Sequence, residues 1–183
     1  MAGRRRSREF VDSARRAVVA RLVLFLPVTL LAAALAVPAM AEAPVDAVRV
    51  FKSERRLELL AGGRVMRAYS VALGSDPVGH KQREGDGRTP EGRYRLDWRN
   101  PASAYHRSIH VSYPEERDVA AARARGEDPG GMIMIHGQRN GFGWAGGFIQ
   151  SLDWTDGCIA VTNAEMDEIW ELVADGTPIE IQP

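Results

Sequence analysis

The sequence predicts a mainly-β fold of the α+β type, a curved mixed β-sheet or sandwich with two short helices. Three observations predict it. Runs that alternate apolar and polar residues recur along the chain after residue 41, as strands with one buried face do. Only two segments carry helix signatures. Strand and helix signals do not alternate in the βαβ manner of a doubly wound parallel sheet.

Residues 1–41 stand apart. Seven arginines lie between Met1 and Arg21 against Glu9 and Asp12, and the 20 residues from Leu22 to Ala41 carry no charge. A basic stretch, an apolar stretch and the small-residue ending Ala39-Met40-Ala41 read as a secretory signal peptide cleaved after Ala41. An uncleaved N-terminal membrane anchor is the alternative, because such a run is just long enough to span a bilayer. Pro27, Pro38 and the Ala-x-Ala ending favour cleavage. Either way the basic end stays inside and residues 42–183 form one exported, periplasmic domain, touching the membrane only through the leader if that is retained.

The elements of this domain follow in order. Ala47 to Ser53, Arg56 to Ala61 and Arg64 to Leu73 alternate, and Gly62-Gly63 between the last two marks a β-hairpin beside a neighbouring strand. Gly74 to Gly92, rich in Gly, Pro and Asp, reads as loop. Strand signals resume at Arg93 to Trp98 and Ser108 to Tyr113. Pro114 to Arg125 predicts a helix, with proline in its first turn, acids early and arginines late. Met132 to His136 is a short apolar run between glycines, a buried strand, and the glycine-rich segment beyond it reads as a long flexible loop. Thr162-Asn163-Ala164-Glu165 is a capping box, and Met166, Ile169, Trp170 and Val173 give the helix it opens a single apolar face. Thr177 to Gln182 closes the chain as a strand.

Composition narrows the function. The whole chain balances 24 basic against 24 acidic residues. Seven of the former and two of the latter lie in the leader, so the exported part is about five charges negative. No basic cluster interleaved with aromatics marks a nucleic-acid binder. A single cysteine, Cys158, can neither close an internal disulfide nor build a CxxC metal knuckle. No His-x-His pair or His-Glu-x-x-His helix supports a zinc peptidase, so neither metal nor cofactor is expected.

A free thiol in an oxidising compartment calls for an explanation. Cys158 follows the turn Asp156-Gly157 and precedes the apolar Ile159-Ala160-Val161. That setting presents the thiol at a loop end and lets the Gly157 and Cys158 amides converge on one point, as an oxyanion hole requires. A small buried hydrophobe beside Ile159 is the bland reading. A nucleophilic thiol also needs a base, because its ordinary pKa of about 8.5 leaves little thiolate at neutral pH. Of the four histidines, His80, His106 and His110 suit surface or structural roles. His136 ends a buried strand and enters the loop leading to Cys158; alone it reads as a core histidine, but taken together with Cys158 it reads as the base that activates the thiol.

Met134-Ile135-His136-Gly137, followed further on by Thr155-Asp156-Gly157-Cys158-Ile159, resembles the His-Gly … Ser/Thr-x-Gly-Cys signature of the YkuD-type L,D-transpeptidase catalytic domain. Upstream, Tyr69 to Gly74, Gly79-His80-Lys81 and Glu84 to Tyr94 are similar to that family's first motif block. The resemblance runs from about Val48 to Ile181, and the run from Thr155 to Thr162 resembles the YafK-like branch. It implies a mainly-β catalytic fold of the L,D-transpeptidase type acting on peptidoglycan stem peptides in cell-wall biogenesis and remodelling. Cys158 would be the nucleophile and His136 the general base, with the Gly137 carbonyl orienting the imidazole and the Gly157 and Cys158 amides forming the oxyanion hole. An amine acceptor, from a second stem or an envelope lipoprotein, would resolve the thioester. Water in its place would make the enzyme a hydrolase of stem peptides or of the peptidoglycan–lipoprotein link.

The chain departs from the family pattern at Asp156, where many members carry histidine, and at Ala160. An ionised Asp156 cannot donate a hydrogen bond and would disfavour a nearby thiolate, so a turn-shaping role fits it better. Arg139, Thr155 and Trp154 are candidates for the substrate-binding surface, Arg139 through a substrate carboxylate. Phe142 and Trp144 could line the same cleft, and Lys81 reads as a surface residue. A non-catalytic envelope-binding module is the remaining rival.

Overall fold

The computed structural model describes residues 43–183. The proposed leader lies outside them. Eight strands form one mixed sheet: β1 (Ala47–Phe51), β2 (Arg56–Ala61), β3 (Arg64–Ser70), β4 (Gly92–Asn100), β5 (Ser108–Val111), β6 (Met134–His136), β7 (Ile159–Ala160) and β8 (Thr177–Gln182), in the order β3-β2-β1-β8-β4-β5-β6-β7. Two ladders are parallel, β1 with β8 and β6 with β7, and the others antiparallel.

The hairpin forms where the two glycines stand. Gly62 and Gly63 have φ of 57° and 76° between the paired residues Ala61 and Arg64. A two-residue connection with both φ positive matches the twist of the strands it joins, and glycine meets that demand without a Cβ penalty. The closing strand β8 then inserts between β1 and β4, so the first and last strands of the sheet pair at its middle.

Three short helices pack on this frame: α1 (Glu116–Ala124), α2 (Gly146–Ile149) and α3 (Asn163–Leu172). The Thr162 hydroxyl accepts from the Glu165 N–H at 3.3 Å, and the Glu165 carboxylate accepts from the Thr162 N–H at 2.8 Å, so the capping box starts α3. Met166, Ile169 and Val173 belong to the same buried core as Leu96, Ile109, Ile135 and Ile159, while Trp170 stays half-buried beneath the Arg99 and Arg107 guanidiniums.

Two expectations are corrected. The segment after His136 is not loop throughout: a 3-10 turn (Gly143–Ala145) leads into α2. Its glycines partly reflect tight packing, since a Cβ at Gly146 would lie 3.4 Å from Thr162 Cγ2 and one at Gly143 2.6 Å from Asn163 Nδ2. Lys81 is 3 % exposed and pairs with Asp86 at 2.8 Å. The loop from 74 to 91 folds inward, and its buried ammonium needs a carboxylate beside it.

Candidate active site

Strand register brings His136 and Cys158 together. Ile135 is aligned with Ile159 and His136 with Ala160, and both isoleucines point into the core. Side chains alternate along a strand, so His136 and Cys158, each one residue from its isoleucine, face the other side. Both border a cleft of about 410 Å³, with Tyr105, Met132, Met134 and Trp154 among its walls.

The imidazole is 4 % exposed, and its Nδ1 lies 2.7 Å from the Gly137 carbonyl. A carbonyl can only accept, so Nδ1 carries the hydrogen and Nε2 keeps its lone pair. Tyr105 and Trp154 flank the ring at centroid distances of 4.8 and 5.7 Å. Burial lowers the His136 pKa below its ordinary value, against a smaller raising effect of the Gly137 hydrogen bond. The ring is therefore the neutral, proton-accepting form at pH 7. Gly137 allows this close fit: a Cβ there would meet Asn163 Oδ1 at 2.7 Å and His106 Cβ at 2.9 Å.

Burial also raises the Cys158 thiol pKa, with the Asp156 charge adding to it, while a backbone hydrogen bond from Met134 and the Lys81 charge act in the opposite sense. Sγ lies 3.6 Å from the Met132 carbonyl. Thiol and imidazole are therefore both neutral at pH 7.

The turn before the cysteine is tied down by Thr155. Its hydroxyl donates to the Cys158 carbonyl at 2.8 Å and accepts from the Gly157 N–H at 3.1 Å. The Gly157 amide, read from sequence as one half of an oxyanion hole, is thus taken up inside the turn. No acceptor among the described residues takes the Cys158 N–H. Thr155 itself is 4 % exposed and acts as a positioning residue. Arg139 is exposed and sits beside a neighbouring hollow, whereas Trp154 borders both that hollow and the cleft. Trp144 is 86 % exposed. Sequence reasoning did not single out Tyr105 and Ser108. Ser108 is aligned with His136 across β5 and β6, and nothing in its local sequence marks it. The other histidines serve structure: His80, His106 and His110 contact Asp118, Asp167 and Asp97.

The loop from 74 to 91 buttresses the turn. Gly74 bridges to Thr155, and the Gly74 N–H donates to Thr89 Oγ1 at 3.2 Å. Within the loop, burial would raise the Asp86 carboxyl pKa, but hydrogen bonds from Lys81, Gln82, Arg88 and Arg83 outweigh that and hold it at about 2. A carboxyl depressed on folding stabilises fully above its unfolded pKa of about 3.9 and loses that contribution as pH falls through about 2. Asp86→Asn, which also strands Lys81, is expected to lower the urea unfolding free energy at pH 7 by about 3 kcal/mol. The gap to wild type should narrow between pH 4 and pH 2.5; a gap independent of pH would contradict this assignment.

Among the described residues no group of three His, Cys, Asp or Glu side chains is placed to hold a metal ion. None of their helices is long and apolar enough to cross a membrane. A curved mixed sheet presenting a histidine and a cysteine to one cleft is the architecture of an L,D-transpeptidase-like domain. Residues 46–181 match the model of the YkuD family, the L,D-transpeptidase catalytic domain, and the chain belongs to that family. It is 32 % identical over 133 residues to an Escherichia coli K12 protein named "Putative L,D-transpeptidase YafK", across 69 % of this chain and 46 % of that one. The chain thus spans less than half the length of this relative.

Among solved structures, the helical cell shape determining protein Pgp2 from Campylobacter jejuni is similar, with a TM-score of 0.59 and 25 % identity over 76 % of this chain and 48 % of its own. An L,D-transpeptidase from Mycobacterium smegmatis, 14 % identical with a TM-score of 0.52 over 77 % of this chain and 59 % of its own, shares the fold.

Proposed function

We propose that the chain is an exported cysteine acyltransferase that acts on peptidoglycan stem peptides. One observation carries the reading: neighbouring strands aim the lone cysteine and a buried, Nδ1-protonated histidine into the same cleft. His136 Nε2 takes the Cys158 proton, and the thiolate attacks the carbonyl carbon of the stem's third residue, forming the C–S bond. The Cys158 N–H donates to the oxyanion that results. The C–N bond then breaks, the imidazolium returns its proton to the leaving D-alanine amine, and a thioester remains. An amine acceptor gives a proton to His136, attacks the thioester and restores the thiol. Membership of the YkuD family supports the substrate class, and the likeness to Pgp2, a cell shape determinant, supports a role in wall remodelling.

Incubation with purified sacculi and mass spectrometry of the fragments tests the proposal. New 3–3 linked dimers, absent with Cys158→Ala, are the expected result. Trimmed stems or released lipoprotein peptide instead would make water the acceptor and the chain a hydrolase. Fragments unchanged by wild-type protein, with no thiol adduct from a β-lactam, would overturn the enzymatic reading and leave an envelope-binding module.

A further inference from the structure

The turn between β1 and β2, residues 52–55, contributes nothing to the walls of the cleft. Two of its side chains nevertheless hold both segments that flank the turn from Thr155 to Cys158. Lys52 is 2 % exposed, and its ammonium donates to the Gly79 carbonyl at 2.6 Å, the Thr89 carbonyl at 2.9 Å and Glu91 Oε1 at 2.8 Å. All three of its N–H groups are thus spent on the loop from 74 to 91. That loop abuts the cysteine turn: the Arg88 carbonyl oxygen lies 2.5 Å from where a Cβ on Gly157 would stand, and the Thr89 hydroxyl takes the Gly74 N–H.

Arg55 holds the other segment. Its Nε donates to Asp153 Oδ1 at 3.0 Å and its Nη2 to Oδ2 at 2.7 Å, two residues before Thr155. Its Nη1 donates back to the Lys52 carbonyl, which ties the two basic residues into one turn. Residues 71–75 complete the link. The Val71 N–H donates to the Arg55 carbonyl at 2.8 Å, and the Leu73 N–H to Asp153 Oδ1 at 3.0 Å. The Thr155 N–H donates to the Leu73 carbonyl at 3.1 Å, the Ser75 N–H to the Thr155 carbonyl at 2.9 Å, and Ala72 bridges to Ala160. Residues on both sides of Cys158 therefore trace back to Lys52 and Arg55 through a few hydrogen bonds.

Stability alone is a weak account of either residue. Replacing a buried ion pair by apolar side chains is often neutral or stabilising, so a buried ammonium such as Lys52 points to a demand on geometry. Arg55 has φ of 50°, a left-handed conformation that glycine or asparagine meets more readily. The fork onto Asp153 accounts for an arginine there. We propose that Lys52 and Arg55 are positioning residues for the reaction at Cys158, fixing together the turn that carries the thiol and the amide that meets the oxyanion. The proposal deepens the acyl-transfer reading and rests on it, since that amide matters to rate only where an oxyanion forms. A displacement of about 1 Å in such a group is enough to cost about a hundredfold in rate.

The test uses full-length Arg55→Gln and Lys52→Met, with Arg56→Gln as the control, a neighbouring arginine whose ion pairs are with Glu54 and Glu58 instead. Acylation by a β-lactam needs the Cys158 amide in place, whereas alkylation by iodoacetamide needs only a reachable thiolate. The first two variants should slow acylation about tenfold to a hundredfold, with alkylation and the Arg56→Gln control near wild-type rates. Wild-type acylation by the folded variants, or a parallel fall in acylation and alkylation, overturns the proposal. Arg55 is partly exposed, so its replacement keeps the test open even if Lys52→Met fails to fold. Because Arg55 acts through Asp153, Arg55→Gln combined with Asp153→Asn should be no slower than the slower single variant, and additive losses overturn that link. The Gly157 and Cys158 amide resonances of ¹⁵N-labelled protein give a readout independent of acyl transfer. They should shift in Arg55→Gln and Lys52→Met but not in Arg56→Gln; unmoved resonances overturn the proposal. Wild-type protein that forms no adduct counts against the acyl-transfer reading alone.

Discussion

Replacing Gly157 by alanine is expected to slow acylation of Cys158 by at least about a hundredfold, by displacing the amide that meets the oxyanion. The cause is backbone geometry. Gly157 has φ of 122°, and a Cβ there would lie 2.5 Å from the Arg88 carbonyl oxygen and 3.2 Å from Ile133 Cδ1. The isoleucine end can rotate away, but the Arg88 carbonyl belongs to a backbone held by the Arg88 N–H bond to Asp86 at 3.0 Å. The turn itself must therefore move, carrying Cys158 Sγ and its N–H with it. Strain at a glycine-only φ and overpacking together should cost about 2–5 kcal/mol of stability. Gly147→Ala is the control: a Cβ there meets nothing within 4 Å, in α2, so stability should hold or rise slightly. Rates of β-lactam adduct formation by mass spectrometry, with urea midpoints, check both. Wild-type acylation by a folded Gly157→Ala protein would sink the account.

Much of this turn was legible in the sequence because its signals are local. Asp156-Gly157 marks a tight turn, Thr162 to Glu165 marks a helix start, and Gly62-Gly63 marks a hairpin, each within a few residues. The Cys158 and His136 candidates came from one unpaired thiol and one strand-ending histidine, and β6–β7 pairing places both on one face. What stayed hidden depends on partners far along the chain. Lys81 looks like a surface residue until the loop folds in and Asp86 meets it. Tyr105 lies in an unremarkable stretch before β5, and only tertiary folding lays its ring on His136. Thr155 read as a substrate contact because nothing local shows that its hydroxyl is consumed by Gly157 and Cys158. Glycine misled in the other direction: between residues 141 and 147 it marks close packing and a helical turn as well as freedom.

His136→Gln is expected to lower the acylation rate by about 10²–10⁴-fold, the usual worth of a positioned general base. Glutamine retains much of the ring's volume, so the loss should appear in rate and not in folding. The pH profile separates a base from a merely structural imidazole. Burial lowers the pKa of His136 and raises that of Cys158, so the acid limb of the free-enzyme profile should fall below about 6.5 and the alkaline limb above about 8.5, the ordinary values. The reactive protonation state is lost at low pH when Nε2 gains a proton and altered at high pH when the thiol loses its own. In His136→Gln the imidazole's acid limb should be replaced by a rise that follows thiolate formation, above about 8.5, since no imidazole remains to titrate in the cleft. Asp156→Asn provides the complementary shift. Removing a charge that raises the thiol pKa should move the alkaline limb to lower pH and leave the acid limb in place. An acid limb that persists unchanged in His136→Gln would assign the titrating base to another group.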